Sequence, residues 1–371
     1  MSKVWPFVPR EEMIEVAEWA TDVIRTKASE QRIALRKEPI VTFRFSHILD
    51  AYKYTFAQSL VEFAGANSLY VPDWTFKQKS LNIPDDDFIE CNAVSFLPGQ
   101  ALILWVSDSL YERVIIESLE MNGVTLTSSV AIQYESSPYV MPSLDARPKE
   151  GISGRLLGNN LIDTNIEFEL TQNEDYLYGA GTLAGYKDRF VITDVPIISA
   201  GLNISTVRDV FILENVLGTS FHYPEYTKAT SKFTMSWHEF DELSIDRVKA
   251  FIYGNKGRQK EFWLQSFQND VILTQDATND VLTVKNCFPV GEPDDLHLLI
   301  HINGVNFYRQ VVLVEQNADD QDLTLDYPIG IVSKNNVRVS RLTLCRFDSD
   351  RVEFLYKNNL GMSVTIPCVS V

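Results

Sequence analysis

The chain has 371 residues, 45% apolar and 22% charged, with 33 Lys and Arg against 50 Asp and Glu for a formal net charge of −17. A chain this apolar is not disordered and is long enough for two or three domains, while its negative charge opposes wrapping by nucleic acid or docking on an anionic membrane. No stretch approaches the roughly 18 consecutive apolar residues of a membrane helix, and Cys91, Cys287, Cys345 and Cys368 are scattered without paired spacing, as free thiols of a reducing compartment are.

Residues 1–38 read as a helical segment behind a proline-containing lead. Met13, Val16, Ala17, Ala20, Ile24 and Ala28 form a stripe of helical spacing, and Glu11 and Glu12 suit the positive end of a helix dipole. The helix either runs unbroken or restarts at Thr21-Asp22, with Asp22 as N-cap. The amino-terminal residues lack the apolar core and cleavage site of a secretory signal, so synthesis and retention in a cytoplasm are expected.

From Pro39 the texture changes to short β-like runs separated by turn residues: Ile40 to Phe45, Ser59 to Phe63, Phe88 to Phe96, Ala101 to Val106, Val114 to Ser118 and Val130 to Tyr134. Such a rhythm predicts a mainly β chain of tandem β-sandwich or barrel modules after the N-terminal helical segment. The expected modules are 39–150, a smaller β module or extension over 151–235, and 236–371. In the middle stretch, Asn165 to Leu170 and Arg189 to Ile192 alternate with period two, as half-exposed strands do.

The first and last modules share an order of features. Tyr70-Val-Pro-Asp-Trp74, Ala101 to Trp105, Tyr111 with Val114 to Ser118, and Val124 to Thr127 find counterparts in Glu261-Phe-Trp263, Leu298 to Ile302, Tyr308 with Val311 to Glu315, and Leu323 to Asp326. Spacings drift by a few residues, as loop insertions produce. Trp74 and Trp263 fall at matching places and suit core or inter-module packing.

Reactive chemistry is poorly represented. His297 and His301 have the i, i+4 spacing of a zinc pair, but their segment is strand-like and no Glu stands where a hydrolytic HExxH needs one. Asp85-Asp-Asp87, Asp294-Asp295, Asp319-Asp320 and Asp348-Ser-Asp350 have the composition of solvated turns. No GxSxG elbow, phosphate-binding GxxxxGK[ST] loop or GxGxxG occurs, and Gly179-Ala-Gly181 reads as a β-turn. Neither cofactor nor metal is expected.

Glu18-Trp-Ala-Thr-Asp-Val23, Ser29-Glu-Gln-Arg-Ile-Ala-Leu-Arg36, Pro39 and Phe43 resemble the opening of tail proteins from long-tailed bacteriophages and gene transfer agents. Leu243 to Phe251, Gly257-Arg-Gln-Lys-Glu-Phe-Trp263, Asp270, and Arg346-Phe-Asp-Ser-Asp350 with Val352-Glu353 are similar to phage tail-tip proteins, including distal-tail-like ones. Physical roles for these residues follow from their chemistry. Gly257 suits a turn of positive φ, and Arg258 forks onto a carboxylate such as Asp270 or Asp348. Arg346, Asp348 and Asp350 hold a turn anchored by Phe347. Arg32 and Arg36, four apart on one helix face, pair with acids of a neighbouring subunit or of the same chain.

The resemblance implies a non-enzymatic virion protein of the tail tip, a distal-tail or baseplate component joining the tail tube to receptor-binding parts. Its expected partners are itself, in a hexameric ring, the tube protein and other tail-tip proteins, with no membrane and no specific nucleic-acid binding. The acidic excess would line a central channel and let DNA pass without sticking. Alternatives are a carbohydrate-binding or carbohydrate-cleaving tail β-protein, with exposed Trp and clustered Asp forming a sugar groove, and a tail-completion or connector protein.

Overall fold

A computed structural model of the chain describes residues 3–10, 12–26, 29–65, 67–84, 86–93, 96–158, 160–171, 183–197, 204–208, 210–214, 218–224, 230–357 and 361–371. Gly179-Ala-Gly181, Asp85, Glu11 and Ala28, read above from sequence, lie outside them. The first strands are β1 (Glu12–Glu18), β2 (Thr21–Arg25), β3 (Glu30–Ala34) and β4 (Ile40–Asp50). Helix α1 (Ala51–Ala64) leads to β5 (Leu69–Pro72), β6 (Gln78–Lys79), β7 (Phe88–Glu90), β8 (Ala101–Ser107) and β9 (Leu110–Glu120). There follow β10 (Gly123–Leu126), β11 (Tyr139–Pro148), β12 (Ser153–Gly158), β13 (Leu161–Leu170), β14 (Gly185–Tyr186) and β15 (Arg189–Ile192). Next come β16 (Ile204–Val207), β17 (Val210–Leu213), β18 (Phe221–Pro224), β19 (Thr230–Glu239), helix α2 (Glu242–Asn255), β20 (Glu261–Gln265) and β21 (Val281–Lys285). The chain closes with β22 (His297–Ile302), β23 (Val305–Asn317), β24 (Asp320–Leu325), β25 (Val337–Phe347), β26 (Arg351–Lys357) and β27 (Gly361–Ser370).

The protein is thus mainly β, with antiparallel pairing almost throughout. It divides into two compact units, each assembled from separate stretches of sequence. Unit 1 comprises residues 1–18, 38–175 and 351–364, and unit 2 comprises 19–37, 176–350 and 365–371. Residues 151–175 therefore belong to unit 1 and 176–235 to unit 2, a division that does not follow the sequence-based boundaries.

The amino-terminal segment is not helical. Its residues form β1 and the hairpin of β2 and β3, with Thr21 opposite Ala34 and Arg25 opposite Glu30. Spacing of three and four is ambiguous where a strand is apolar on both faces, and β1 is such a strand: within unit 1 it pairs with β4 on one edge and β26 on the other, with Glu15, Val16 and Ala17 all buried. Asp22 therefore caps no helix and stands exposed on β2, opposite Ile33. Arg32 and Arg36 share no helix face.

Helices occur instead where strands or loops were expected. Ser59 to Phe63 lies inside α1, whose Ala57, Leu60 and Ala64 form the buried stripe, and Val130 to Tyr134 is irregular. Asp50 accepts from Lys53 N at 2.8 Å and Asp241 accepts from Ser244 N at 2.9 Å, so an aspartate caps each helix. Aromatic and β-branched residues in α1 imitate strand composition, and the capping aspartate is the signal that reveals it.

The order of elements recurs. In each half a strand, a hairpin and a longer strand precede a 14-residue helix, and β1–β4 and β2–β3 correspond to β16–β19 and β17–β18. The pairs β5–β11, β8–β9, β8–β11, β9–β10 and β7–β10 return as β20–β25, β22–β23, β22–β25, β23–β24 and β21–β24. Finally β11–β13 and β12–β13 match β25–β27 and β26–β27. Even the parallel exceptions correspond: Val4 bridges Tyr70 of β5, and Val191 of β15 pairs with Trp263 of β20. Val4-Trp-Pro-Phe-Val-Pro9 and Val191-Ile-Thr-Asp-Val-Pro196 share valines and proline at the same spacing, a signal at the very start of each repeat. The counterpart of Trp263 is Tyr70 rather than Trp74, which lies beyond β5 in a short 3-10 turn.

Each unit has its own apolar core. In unit 1, Ile89, Leu102, Leu104, Val114, Ile116, Val124 and Val140 pack together, and in unit 2 Leu282, Val284, Leu298, Ile300, Val311, Val314 and Val339 do so. Unit 1 also buries His47, which lies 2.8 Å from the Val8 carbonyl through Nδ1 and accepts from Trp5 Nε1 at 3.3 Å through Nε2. Those partners suit one neutral tautomer. Burial pushes the imidazole down to about 4, against the pull of the Val8 carbonyl and of Asp108. Stability carried by neutral His47 is complete above the unfolded value of about 6.5 and declines as pH falls toward 4, because the unfolded chain takes up the proton first. Denaturant unfolding followed by tryptophan fluorescence should lose up to about 3 kcal/mol across that window, and His47→Gln should remove this slope.

Candidate functional site

Three of the segments that carry the sequence resemblance, 29–36, 257–263 and 346–350, meet in unit 2 around the hairpin of β2 and β3. Arg346, near the end of β25, is 1% exposed. Its Nε and Nη2 donate to the two carboxylate oxygens of Glu30 at 2.6 and 3.0 Å, and its Nη1 donates to Asp348 Oδ1 at 3.0 Å and the Phe347 carbonyl at 2.8 Å. This fork satisfies a guanidinium that has no access to water. Burial alone would raise the Glu30 carboxyl, but hydrogen bonds and charge from Arg346 and Arg25 outweigh it and hold the group below the usual carboxylate range. Burial likewise opposes the Arg346 charge, and Glu30 and Asp348 restore it and more.

Asp350 fastens the start of the same hairpin. Its carboxylate accepts from Thr21 N at 2.8 Å, Thr21 Oγ1 at 2.9 Å and Arg258 N at 2.9 Å, while its carbonyl accepts from Trp19 N at 2.8 Å. Gly257 makes this approach possible: its φ is +63°, and a Cβ there would lie 2.6 Å from Asp350 Oδ1 and 3.3 Å from Trp19 Cβ. Arg258 does fork, but onto the Asp348 backbone carbonyl, at 3.2 Å from Nε and 2.9 Å from Nη2, not onto a carboxylate. Asp270 lies apart from this cluster and accepts from Arg341 N at 3.0 Å.

A second acid, Glu261 at the start of β20, binds Arg32 and also accepts from Arg189 Nε at 2.7 Å. Further along the hairpin, the Arg36 carbonyl accepts from Gln259 Nε2 at 3.0 Å and the Lys37 carbonyl from Lys256 Nζ at 3.2 Å. The Arg32 side chain is thus paired within the chain, and Arg36 is held through its backbone carbonyl. Glu30, Glu261, Thr21, Gln259 and Gly257 complete the seat; of these, only Gly257 had a role assigned from sequence, because the others' partners lie far away along the chain.

No family model matches the sequence, and no curated protein matches it.

The remaining candidates are structural. Trp74 is buried in unit 1 against Trp105, with ring centroids 5.3 Å apart, and Trp263 is buried in unit 2 with Nε1 donating to the Tyr186 carbonyl at 3.0 Å. Trp5, Trp19 and Trp237 are buried too. Trp105 is half-buried and donates to the Pro6 carbonyl at 2.8 Å. His297 is buried beside Tyr186 and Asp295, whereas His301 is exposed and bonds Asn306. Among the described residues no group of three or more His, Cys, Asp and Glu is placed to hold a metal ion. An open groove of about 880 Å³ in unit 2 is lined by Arg32, Tyr186, Arg189, Asn255, Lys260 and Glu261.

What this arrangement does is fasten the β2–β3 hairpin to the end of β25, the start of β20 and the turn after α2. Arg346→Met removes two hydrogen bonds from Glu30, leaving it Arg25 at 2.9 Å and Arg32 at 3.6 Å, and should cost about 1–3 kcal/mol in denaturant unfolding, part of it recovered when Glu30→Leu is added. Gly257→Ala should cost about 1–3 kcal/mol through its left-handed φ and the contact with Asp350, read as a lower unfolding midpoint.

Proposed function

We propose that the chain is a non-enzymatic, ring-forming structural subunit of a bacteriophage tail tip, joining the tail tube to receptor-binding parts. The observation that carries this reading is the hairpin seat. The motifs resembling tail proteins, Ser29 to Arg36, Gly257 to Trp263 and Arg346 to Asp350, meet there and act as one structural lock. They hold backbone and salt bridges rather than presenting a nucleophile, an acid–base pair or a metal cage.

A topology carried twice in tandem β-modules supports the same reading, because a repeated unit supplies the matching faces that a closed ring requires. Buried tryptophans speak against the sugar-platform alternative. The −17 net charge suits a channel wall past which DNA slides.

Native mass spectrometry of the purified chain should give a closed oligomer of fixed mass, and gold-labelled antibody should mark the tail tip of intact particles. A strict monomer that binds or degrades host polysaccharide overturns the structural reading. Label at the head–tail junction replaces it with the connector alternative.

A further inference from the structure

Among the described residues, the repeated topology leaves two strand edges without the partners that their counterparts have. Within unit 1, β26 of the second repeat lies between β27 and β1, with Glu12 opposite Lys357 and Glu18 opposite Arg351. Its counterpart in the first repeat, β12, pairs with β13 alone among the described residues. All six residues of β12 are exposed, Leu156 at 69%. Similarly β1 pairs with both β4 and β26, while its counterpart β16 pairs among the described residues with β19 alone.

The hairpins show the same asymmetry. In unit 2 the β2–β3 hairpin is fastened to Arg346, Asp350 and Glu261. The β17–β18 hairpin instead displays Phe211 at 59% and Phe221 at 64% exposure, together with Ile212 and Leu213. The strand register that places Cys345 and Arg346 opposite β27 places Ala146 and Arg147 opposite β13, so Arg147 is the counterpart of Arg346. Arg147, unlike Arg346, is exposed, as are Lys149 close by and Glu214 just past the end of β17.

We propose that these two edges complete each other between copies: β16 of one chain adds to β12 of the next, and the β17–β18 hairpin then lies over that neighbour's unit 1 near Arg147. The occupant is a second copy of this chain, because the junction repeats one already built between counterpart elements of the chain itself. Edge-to-edge addition satisfies the backbone groups of both strands and covers the apolar hairpin and the leucines of β12, while Glu214 meets the cations Arg147 and Lys149. The contact is heterologous, joining different faces of identical chains, so it propagates head to tail until it closes. A ring built this way alternates intrachain and interchain versions of one junction and holds two repeats per chain. The proposal rests on the ring-forming reading above and names the surface that closes the ring.

Carrying the β1–β26 register onto the counterpart strands places Ser205 opposite Ser153 of the next chain. Directly opposed Cα atoms on antiparallel strands lie about 4.5–5.5 Å apart, within disulfide reach. In a Cys287→Ser background, which removes the exposed native thiol, Ser205→Cys and Ser153→Cys chains would be purified separately, mixed, disassembled and reassembled, and oxidised. The mixture should yield a covalent dimer containing one chain of each kind, each variant alone should yield none, and the double variant should yield a ladder ending at the ring mass. A ring that forms by native mass spectrometry yet gives no mixed dimer overturns the strand-addition contact and leaves the ring-forming function standing. A chain that stays monomeric at high concentration, without cross-links, overturns both.

Discussion

A buried guanidinium keeps its charge, so burying it without a partner is costly, and Arg346 is met by Glu30, 316 residues earlier in the chain. That one requirement ties a hairpin near the amino terminus to the last third of the sequence. The surrounding details serve it. Asp348 takes the remaining side of the guanidinium, Asp350 holds the first residues of the hairpin, and Gly257 leaves room for Asp350 to do so. Charged residues here act as fasteners with fixed geometry.

Backbone pairing imposes the second constraint. A strand is stable in the middle of a sheet when both edges find partners, and β1 shows the satisfied case, with β4 and β26 on either side. The same topology met a second time in the chain supplies strands of equal design, yet among the described residues β12 pairs with β13 alone and β16 with β19 alone. The hydrogen-bonding groups and apolar side chains that order a junction inside the chain are the ones any strand edge must satisfy.

Much of the β character is legible because alternation and turn residues are local signals. Ala101 to Val106 and Val114 to Ser118 lie on β8 and β9, and the matching of these runs with Leu298 to Ile302 and Val311 to Glu315 corresponds to β22 and β23. The amino-terminal stripe misleads because spacing of three and four residues also fits a strand buried on both faces. The real helices are hidden by residues of strand-like composition in α1, and only Asp50 and Asp241 mark their starts. Pairing Trp74 with Trp263 fails for a related reason: tryptophans catch the eye, whereas register makes Tyr70 the counterpart of Trp263.

At the seat, the residue types are visible in the sequence and their partners are not. Charge matches Arg258 to carboxylates, yet its fork closes on a backbone carbonyl, and Arg32 finds its acid, Glu261, within the chain. The sequence by itself determined a β-rich chain with a recurring order of elements, because composition and periodicity act over short distances, while the motifs of the sequence resemblance drew attention to Arg346, Asp348, Asp350, Gly257 and Arg258. Which acid neutralises Arg346, which strand edges are covered and which hairpin stands exposed were decided only by the tertiary structure, since burial and long-range pairing depend on where distant segments meet.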